Sequence, residues 1–325
     1  MSGDVRVAII GAGRIGKQHA KWFRAVGCQV VGFLGSSPES VARREAELAQ
    51  MLGIHVPGYT DFARLVAETR PDAVSVCSPH AQHCAHVLQA VDAGLATLCE
   101  KPLAWDERKT HAEILADGQR MVAAARERGV LLAMNAQYVA GMQAYREWYE
   151  AERGPLERAT CYEAVMQSRG RGGGAEFEEV WIDLGPHPLS LVVKWNPGVQ
   201  LVPGSVRCTL RRKELVAEFQ CRADTGSVCD CRIRLGNVPE GVLQRCFGVN
   251  GFMVDYQGRN DAQGVFRTYL SHNGEEREYP DLLHTSIEHF VRAVRGEGPP
   301  LISAEEGYRN LALQVEILEQ AVREA

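Results

Sequence analysis

Three short constellations combine residue types that can hold a phosphate, steady an oxyanion or move a proton. Glu100-Lys101-Pro102 follows directly on an apolar run ending at Cys99, which puts an ammonium at the end of a predicted strand. Such a cation stabilises negative charge developing on an oxygen, and Pro102 fixes the local backbone and is a candidate for a cis bond. Asp183-Leu184-Gly185-Pro186-His187 sets a carboxylate four residues before an imidazole. On a helix that spacing brings both to one face, where the acid can orient or charge the ring, and histidine is the usual proton shuttle near neutral pH. Pro188 counts against the stacking, because it disfavours helical dihedrals at His187. The third constellation, Gly11-Ala12-Gly13-Arg14-Ile15-Gly16, has the glycine spacing that allows a tight turn, a close approach to a pyrophosphate and close helix–strand packing. Each has a plain alternative when taken singly: a surface Lys101–Glu100 pair, a capping Asp183 with a core histidine, or a glycine turn with no ligand.

These residues need elements to position them. The run over 5–10 reads as a buried strand cut off by Gly11, and a helical stretch follows through Trp22 and Phe23 to Val26, the context that the glycine fingerprint requires. Strands over 29–33, 73–77, 95–99 and 131–134 alternate with helices over 38–51, 82–93 and 106–128, the last with a break expected at Gly118. Such alternation implies a parallel sheet covered on both faces, with nucleotide at the carboxyl ends of its strands. After residue 134 the rhythm changes to longer alternating runs over 157–167, 228–235, 243–248, 251–257 and 265–271, with Asn250-Gly251 and Asn273-Gly274 as turn signals. This pattern predicts an antiparallel or mixed sheet in a second, α+β domain, followed by helices over 283–295 and 305–325.

Composition narrows the classes. With 325 residues, 45% hydrophobic and 24% charged, the chain is neither disordered nor fibrous and is long enough for two domains. A net charge of −5 is a poor field for nucleic acid or an anionic membrane. Ten cysteines scattered without a repeating frame fit reduced thiols. No secretory or membrane-spanning stretch is visible, so the cytoplasm is the expected address.

Taken together, the motifs resemble a known family. Gly11-x-Gly13-x-x-Gly16 followed by His19, the Ser78-Pro79…His83 turn, Glu100-Lys101-Pro102 and Asp183-x-Gly185-x-His187 stand in the order and spacing of the Gfo/Idh/MocA oxidoreductases, and Ser303-Ala304-Glu305-Glu306-Gly307 is similar to their closing segment. The resemblance implies a doubly wound Rossmann domain over 1–134 and an α+β domain over 135–325 with an open, mostly antiparallel sheet for substrate and oligomerisation. It implies hydride transfer between a nicotinamide and a hydroxyl or keto carbon of a small molecule: a sugar, cyclitol or related polyol, or an amino derivative. Lys101 would then hold the substrate oxygen and the nicotinamide, His187 would take or return the hydroxyl proton, and Asp183 would bind substrate and assist His187. Gly11, Gly13, Arg14, Ile15, Gly16, Ser78, Pro79, His83, Glu100 and Lys101 would line the cofactor cleft. Family members pair as homo-oligomers, dimer or tetramer, through the exposed face of the second sheet, which an uncovered apolar face would favour. A non-catalytic NAD(P) sensor and a reductase of an imine, an enone or a tetrapyrrole bridge are the alternatives on this fold; a sensor has no need of the trio Lys101, Asp183 and His187.

The chain also departs from the family pattern. Ser190 stands where an Asp is frequent, and Gln137 where an Arg is frequent. Glu176, Glu178 and Glu179 precede Asp183, either as a solvated loop or as a selector of cationic substrates. Strand 2 ends in Phe33-Leu34-Gly35-Ser36-Ser37 with no carboxylate for a ribose 2′-hydroxyl. Ser36 and Ser37, with Arg43 and Arg44, suit a 2′-phosphate, so between NAD and NADP the sequence leans to NADP. No metal is expected. His80, His83 and His86, near Cys77 and Cys84, recur at three-residue steps that drift around a helix. Cys221, Cys229 and Cys231 lack a histidine or Cys-x-x-Cys partner and read as buried small hydrophobes.

Overall fold

The computed structural model describes residues 4–170 and 178–324, so Glu176 and most of the glycine-rich stretch before it lie outside the described residues. The chain divides into two compact units. The first comprises the chain up to Asn135 together with Leu283–Tyr308, and the second Ala136–Leu282 with the chain from Arg309 on.

In the first unit, β1 (Arg6–Ile10), α1 (Arg14–Ala25), β2 (Gln29–Leu34), α2 (Pro38–Leu52), β3 (Gly58–Tyr59), α3 (Phe62–Thr69), β4 (Ala73–Val76), α4 (His83–Asp92), β5 (Ala96–Glu100), α5 (His111–Arg128) and β6 (Leu132–Asn135) alternate. The strands form one sheet in the order β3-β2-β1-β4-β5-β6, parallel throughout. The order reverses between β1 and β4, and in doubly wound sheets ligands bind outside the carboxyl ends at that switch. Each strand is apolar because helices cover both faces. Gly118 does not break α5, which starts at His111, later than expected. Thr110 caps it, its hydroxyl accepting the Glu113 N–H while Glu113 accepts from the Thr110 N–H at 2.8 Å. The core gathers Trp22, Phe23, Phe33 and Leu48 with Ile287, Phe290 and Val291 from the far end of the sequence.

In the second unit, α6 (Met142–Arg153) is followed by β7 (Cys161–Ser168), α7 (Glu179–Leu184), α8 (Pro186–Trp195), β8 (Gln200–Leu201), β9 (Arg207–Arg211), β10 (Glu214–Arg222), β11 (Val228–Asn237), β12 (Arg245–Val249), β13 (Phe252–Asn260), β14 (Phe266–His272) and β15 (Glu275–Pro280). The chain ends in α9 (Leu282–Val294), α10 (Ala304–Leu318) and β16 (Ala321–Arg323). The sheet runs β15-β14-β13-β12-β7-β11-β10-β9-β16, with β8 on β10. Only β7–β11 and β9–β16 pair in parallel. The two Asn-Gly turns are as read, Asn250 and Asn273 adopting φ of 53° and 48°. The last helix stops at Leu318 rather than running to the end, and residues 321–323 instead satisfy the open edge of β9.

Alternation along β10 and β11 turns Leu215, Phe219, Cys231 and Ile233 inward and Glu218, Asp230, Arg232 and Arg234 outward. The outer face of these two strands is charged, with Arg232 3.2 Å from Glu218. The inner face is aromatic. Trp148, Trp181, Tyr162, Phe247 and Phe252 are fully buried, and Tyr145 packs on Phe247 and Phe252, its hydroxyl donating to Phe252 O and accepting from Val249 N, both at 2.8 Å. Among the described residues, no helix is long and apolar enough to cross a membrane.

Phe23 carries much of the first core, fully buried and edge-on to Phe290 at 6.2 Å. Phe23→Ala is expected to cost about 3–5 kcal/mol, read as a lower urea midpoint with an unchanged slope.

Candidate active site

The glycine turn after β1 divides its labour among three positions. Gly11 has φ +90°, and a Cβ there would lie 2.8 Å from Ser78 N, so the turns after β1 and β4 touch backbone to backbone. A Cβ on Gly16 would lie 2.1 Å from Gly11 O, which forces glycine where helix meets strand. Gly13 has open space in front of it. It heads α1 with no side-chain cap and no acidic residue in the first turn, so Arg14 and Ile15 begin a helix whose leading N–H groups suit an anion. These residues fit a dinucleotide pyrophosphate.

A buried polar chain underlies the end of β5. Glu100 is 7% exposed. Its Oε1 accepts from His19 Nε2 at 2.9 Å and from Asn135 Nδ2 at 2.5 Å. The other His19 nitrogen meets Ser75 Oγ at 2.8 Å, and Ser286 Oγ donates to Asn135 Oδ1 at 2.7 Å. Burial works against both charges. Cys77 and Glu100 nevertheless push the His19 imidazole up to about 10, while His19, Lys101 and Asn135 hold Glu100 down at about 2. The pair is therefore ionic. Half-buried Lys101 comes next, and its peptide to Pro102 is cis.

His83, expected in the cofactor cleft, is 1% exposed and has both ring nitrogens engaged, Nδ1 at 2.9 Å from Pro102 O and Nε2 at 2.9 Å from Ser78 O. It ties the turns after β4 and β5 together, leaving no nitrogen for a ligand. Burial lowers its pKa, and the two carbonyls, each calling for an N–H, raise it. His86 Nδ1 meets Ser78 Oγ at 2.9 Å and His80 meets Glu107 at 3.2 Å, so the three histidines take separate partners. Pro79 is exposed. Past β2, Ser36 is exposed and Ser37 caps α2, its hydroxyl accepting the Ser40 N–H at 3.2 Å. Arg43 is exposed, whereas Arg44 and Lys17 both bind Glu47, at 2.6 and 2.7 Å.

In the second unit, Asp183 lies near the end of α7 and His187 is the second residue of α8. Gly185 between them is helical, with φ −54° and ψ −40°, so the four-residue spacing is kept. Pro188 does not drive His187 out of the helix as expected. Prolines at 186 and 188 sit in the first turn, where the missing N–H groups have no carbonyl of the helix to meet. Both Asp183 and His187 are half-buried. From the segment in which Gln137 was expected to matter, it is the Tyr138 ring that lies edge-on to His187, 5.0 Å away, with Tyr256 4.9 Å on; no motif signalled either tyrosine. Ser190 turns inward, its hydroxyl donating to Pro186 O at 2.7 Å. Glu178 is bound by Arg323, which neutralises it as a selector of cations, and Glu179 is half-buried. Cys221, Cys229 and Cys231 face inward, Cys221 Sγ lying 3.6 Å from Cys231 Sγ.

A doubly wound sheet with an uncapped glycine turn at its switch point, followed by a mixed-sheet unit bearing a half-buried carboxylate and imidazole, defines a dinucleotide-dependent oxidoreductase. The family model for oxidoreductases with an NAD-binding Rossmann fold, GFO_IDH_MocA, matches residues 5–136. The D-glucoside 3-dehydrogenase of Escherichia coli (strain K12) is 32% identical over 94% of this chain and 92% of its own length. The 1,5-anhydro-D-fructose reductase of Ensifer adhaerens is 27% identical over 97% of this chain and 96% of its own. Among solved structures, UDP-N-acetylglucosamine 3-dehydrogenase from Acidithiobacillus ferrooxidans superposes with a TM-score of 0.74 at 21% identity, covering 98% of both chains. The chain belongs to the Gfo/Idh/MocA family of NAD(P)-dependent oxidoreductases.

The His19–Glu100 pair makes stability depend on pH. His19 is raised from 6.5 to about 10, so its contribution is complete below pH 6.5 and drains away as pH rises toward 10. Glu100 is lowered from 4.5 to about 2, so its contribution is complete above pH 4.5 and is lost as pH falls toward 2. The pair's contribution to the melting temperature, read as the difference between the wild type and His19→Gln, should therefore be greatest between pH 4.5 and 6.5 and decline up to pH 10. In the window of greatest contribution the substitution should cost about 3–5 kcal/mol, measured by calorimetry across the whole range.

Proposed function

We propose that this enzyme interconverts a secondary hydroxyl and a keto group on a ring carbon of a sugar or cyclitol. The observation that carries this reading is the mounting of His187: a half-buried imidazole on the first turn of α8, between two prolines and one helical turn after Asp183. A general base so mounted suits removal of a hydroxyl proton. The names of the full-length relatives, a glucoside dehydrogenase and an anhydrofructose reductase, favour the same chemistry.

The nicotinamide, when bound, supplies the hydride acceptor or donor. In the oxidative direction His187 takes the hydroxyl proton as the C–H bond gives up its electron pair, and the oxygen–carbon bond becomes a carbonyl. Lys101 holds that oxygen, its ammonium countering the negative charge that grows as the proton leaves. Asp183 binds a neighbouring hydroxyl and favours the protonated imidazole. Glu100, paired with His19, keeps the turn before Lys101 in one conformation. The first unit serves the cofactor and the second the substrate.

NADP is the preferred cofactor in this reading. No carboxylate ends β2, Ser36 is exposed and Arg43 remains an exposed cation nearby in sequence. Glu39, exposed in the first turn of α2, is the nearest acid. Its carboxyl is held below the usual range by the Ser37 hydroxyl.

The test is a panel of myo-inositol, D-glucose, methyl glucosides and their keto derivatives with NAD and NADP, followed by nicotinamide absorbance. His187→Ala should lower kcat by about 10²–10⁴-fold with the NADPH dissociation constant unchanged. Retained kcat removes His187 as the base, and nucleotide binding with no turnover of any panel member marks a sensor instead. The kcat/KM ratio should favour NADP; a tenfold preference for NAD would refute the cofactor assignment.

A further inference from the structure

We propose that Asn310 on α10 and Tyr162 on β7 are positioning residues for His187, an inference that rests on His187 being the base. The carbonyls of the two prolines that flank His187 are both held by hydrogen bonds. Pro186 O accepts from Asn310 Nδ2 at 2.8 Å and from Ser190 Oγ at 2.7 Å. The same Asn310 nitrogen gives its second hydrogen to Ser190 Oγ at 2.9 Å, closing a small ring of hydrogen bonds around that one carbonyl. Pro188 O accepts the Tyr162 hydroxyl at 3.2 Å. Asn310 and Tyr162 are each 1% exposed and Ser190 is 2% exposed, so no bulk water can stand in for a lost donor.

The consequence follows from counting freedoms. Proline fixes φ at 186 and at 188, which leaves the dihedrals of His187 as the soft joint in this turn. Fixing the carbonyl on either side removes that joint. The imidazole then keeps only its side-chain torsions, and the Tyr138 ring, 5.0 Å away and edge-on, bears on those. One turn further along α10, Gln314 holds the segment that carries Asp183 in the same manner. Its Nε2 donates to Trp181 O at 2.9 Å, and the Trp181 indole donates to Gln314 O at 2.8 Å. Donors thus reach from one helix to the carbonyls of two turns, each just ahead of an acid or a base.

The orientation of Asn310 is fixed by its neighbours. A flipped amide would set its oxygen against the Pro186 oxygen, two acceptors with no hydrogen between them. Leucine at 310 would fill the space and provide no donor, while Tyr162→Phe removes a single oxygen from an otherwise unchanged ring.

The experiment is a double-mutant cycle in kcat, using NADP and the panel member with the highest kcat/KM. Misplacing a base by about 1 Å costs on the order of 10²-fold. Asn310→Leu should therefore lower kcat by about 10- to 100-fold and Tyr162→Phe by about tenfold, each with KM and NADPH affinity within about threefold. In a His187→Ala background either change should alter the residual kcat by less than about threefold, because residues acting through one group are not additive. Equal fractional losses in both backgrounds, or an unchanged kcat in the single variants, overturn the proposal while leaving His187 as the base. A His187→Ala enzyme that retains its kcat overturns the base assignment itself, and the proposal with it. Should the leucine variant fail to fold, judged by its melting curve and NADPH binding, Tyr162→Phe decides alone.

Discussion

Glu100 is a carboxylate inside a parallel sheet, and the carboxyl edge of the first unit is arranged around keeping it charged. An isolated ion at that depth would cost several kcal/mol and would take up a proton instead. Here the cost is offset by an imidazolium from α1, an amide from the end of β6 and, through Asn135, a hydroxyl from α9. Three elements distant in sequence are tied to one strand end. The residue they tie down is the one before Lys101, so that cation follows a braced strand end. His83 adds a second brace by joining the carbonyl after Lys101 to the carbonyl after β4.

The second unit reaches the same end by other means. The backbone around His187 is braced by two proline rings and by donors aimed at the neighbouring carbonyls. The two braces differ in kind. The lysine follows directly on a residue fixed by a buried ion pair. A histidine that must gain and lose a proton needs a fixed place, and the groups that brace its backbone are an amide, two hydroxyls and two proline rings.

Much of this was legible in the sequence where the chemistry is local. A glycine turn, a strand-end Glu-Lys-Pro and an Asp-x-x-x-His each declare themselves within six residues, and alternation of strands and helices declares the doubly wound sheet. The departures have mixed causes, some local and some long-range. Thr110 and Glu113 moved the start of α5, the unpaired edge of β9 drew residues 321–323 out of a helix, and β15, Glu275–Pro280, is too polar for a strand pattern to register. Within the site, Tyr138, Tyr162, Asn310 and Ser286 carry no motif, because their contribution lies in which carbonyl or ring they meet across the fold. His83 shows the converse: its motif position suggested the cofactor cleft, whereas its burial and its two carbonyl partners make it a brace.

Where buried polar groups are spent is itself informative. A core built for stability alone would replace Asn310 and Gln314 with leucine, since the side-chain oxygens Asn310 Oδ1 and Gln314 Oε1 are buried without a hydrogen-bond partner among the described residues, an expense of about 1–3 kcal/mol each. Their amide nitrogens face the carbonyls of Pro186 and Trp181, one and two residues before His187 and Asp183. Glu100 is a similar extravagance, and Lys101 follows it. In this chain, buried polar side chains that carry such a cost hold the carbonyls ahead of His187 and Asp183, or stand directly ahead of Lys101. Such a pattern has no rationale in stability, whereas a site that must hold a proton acceptor or an ammonium to within a fraction of an ångström accounts for it.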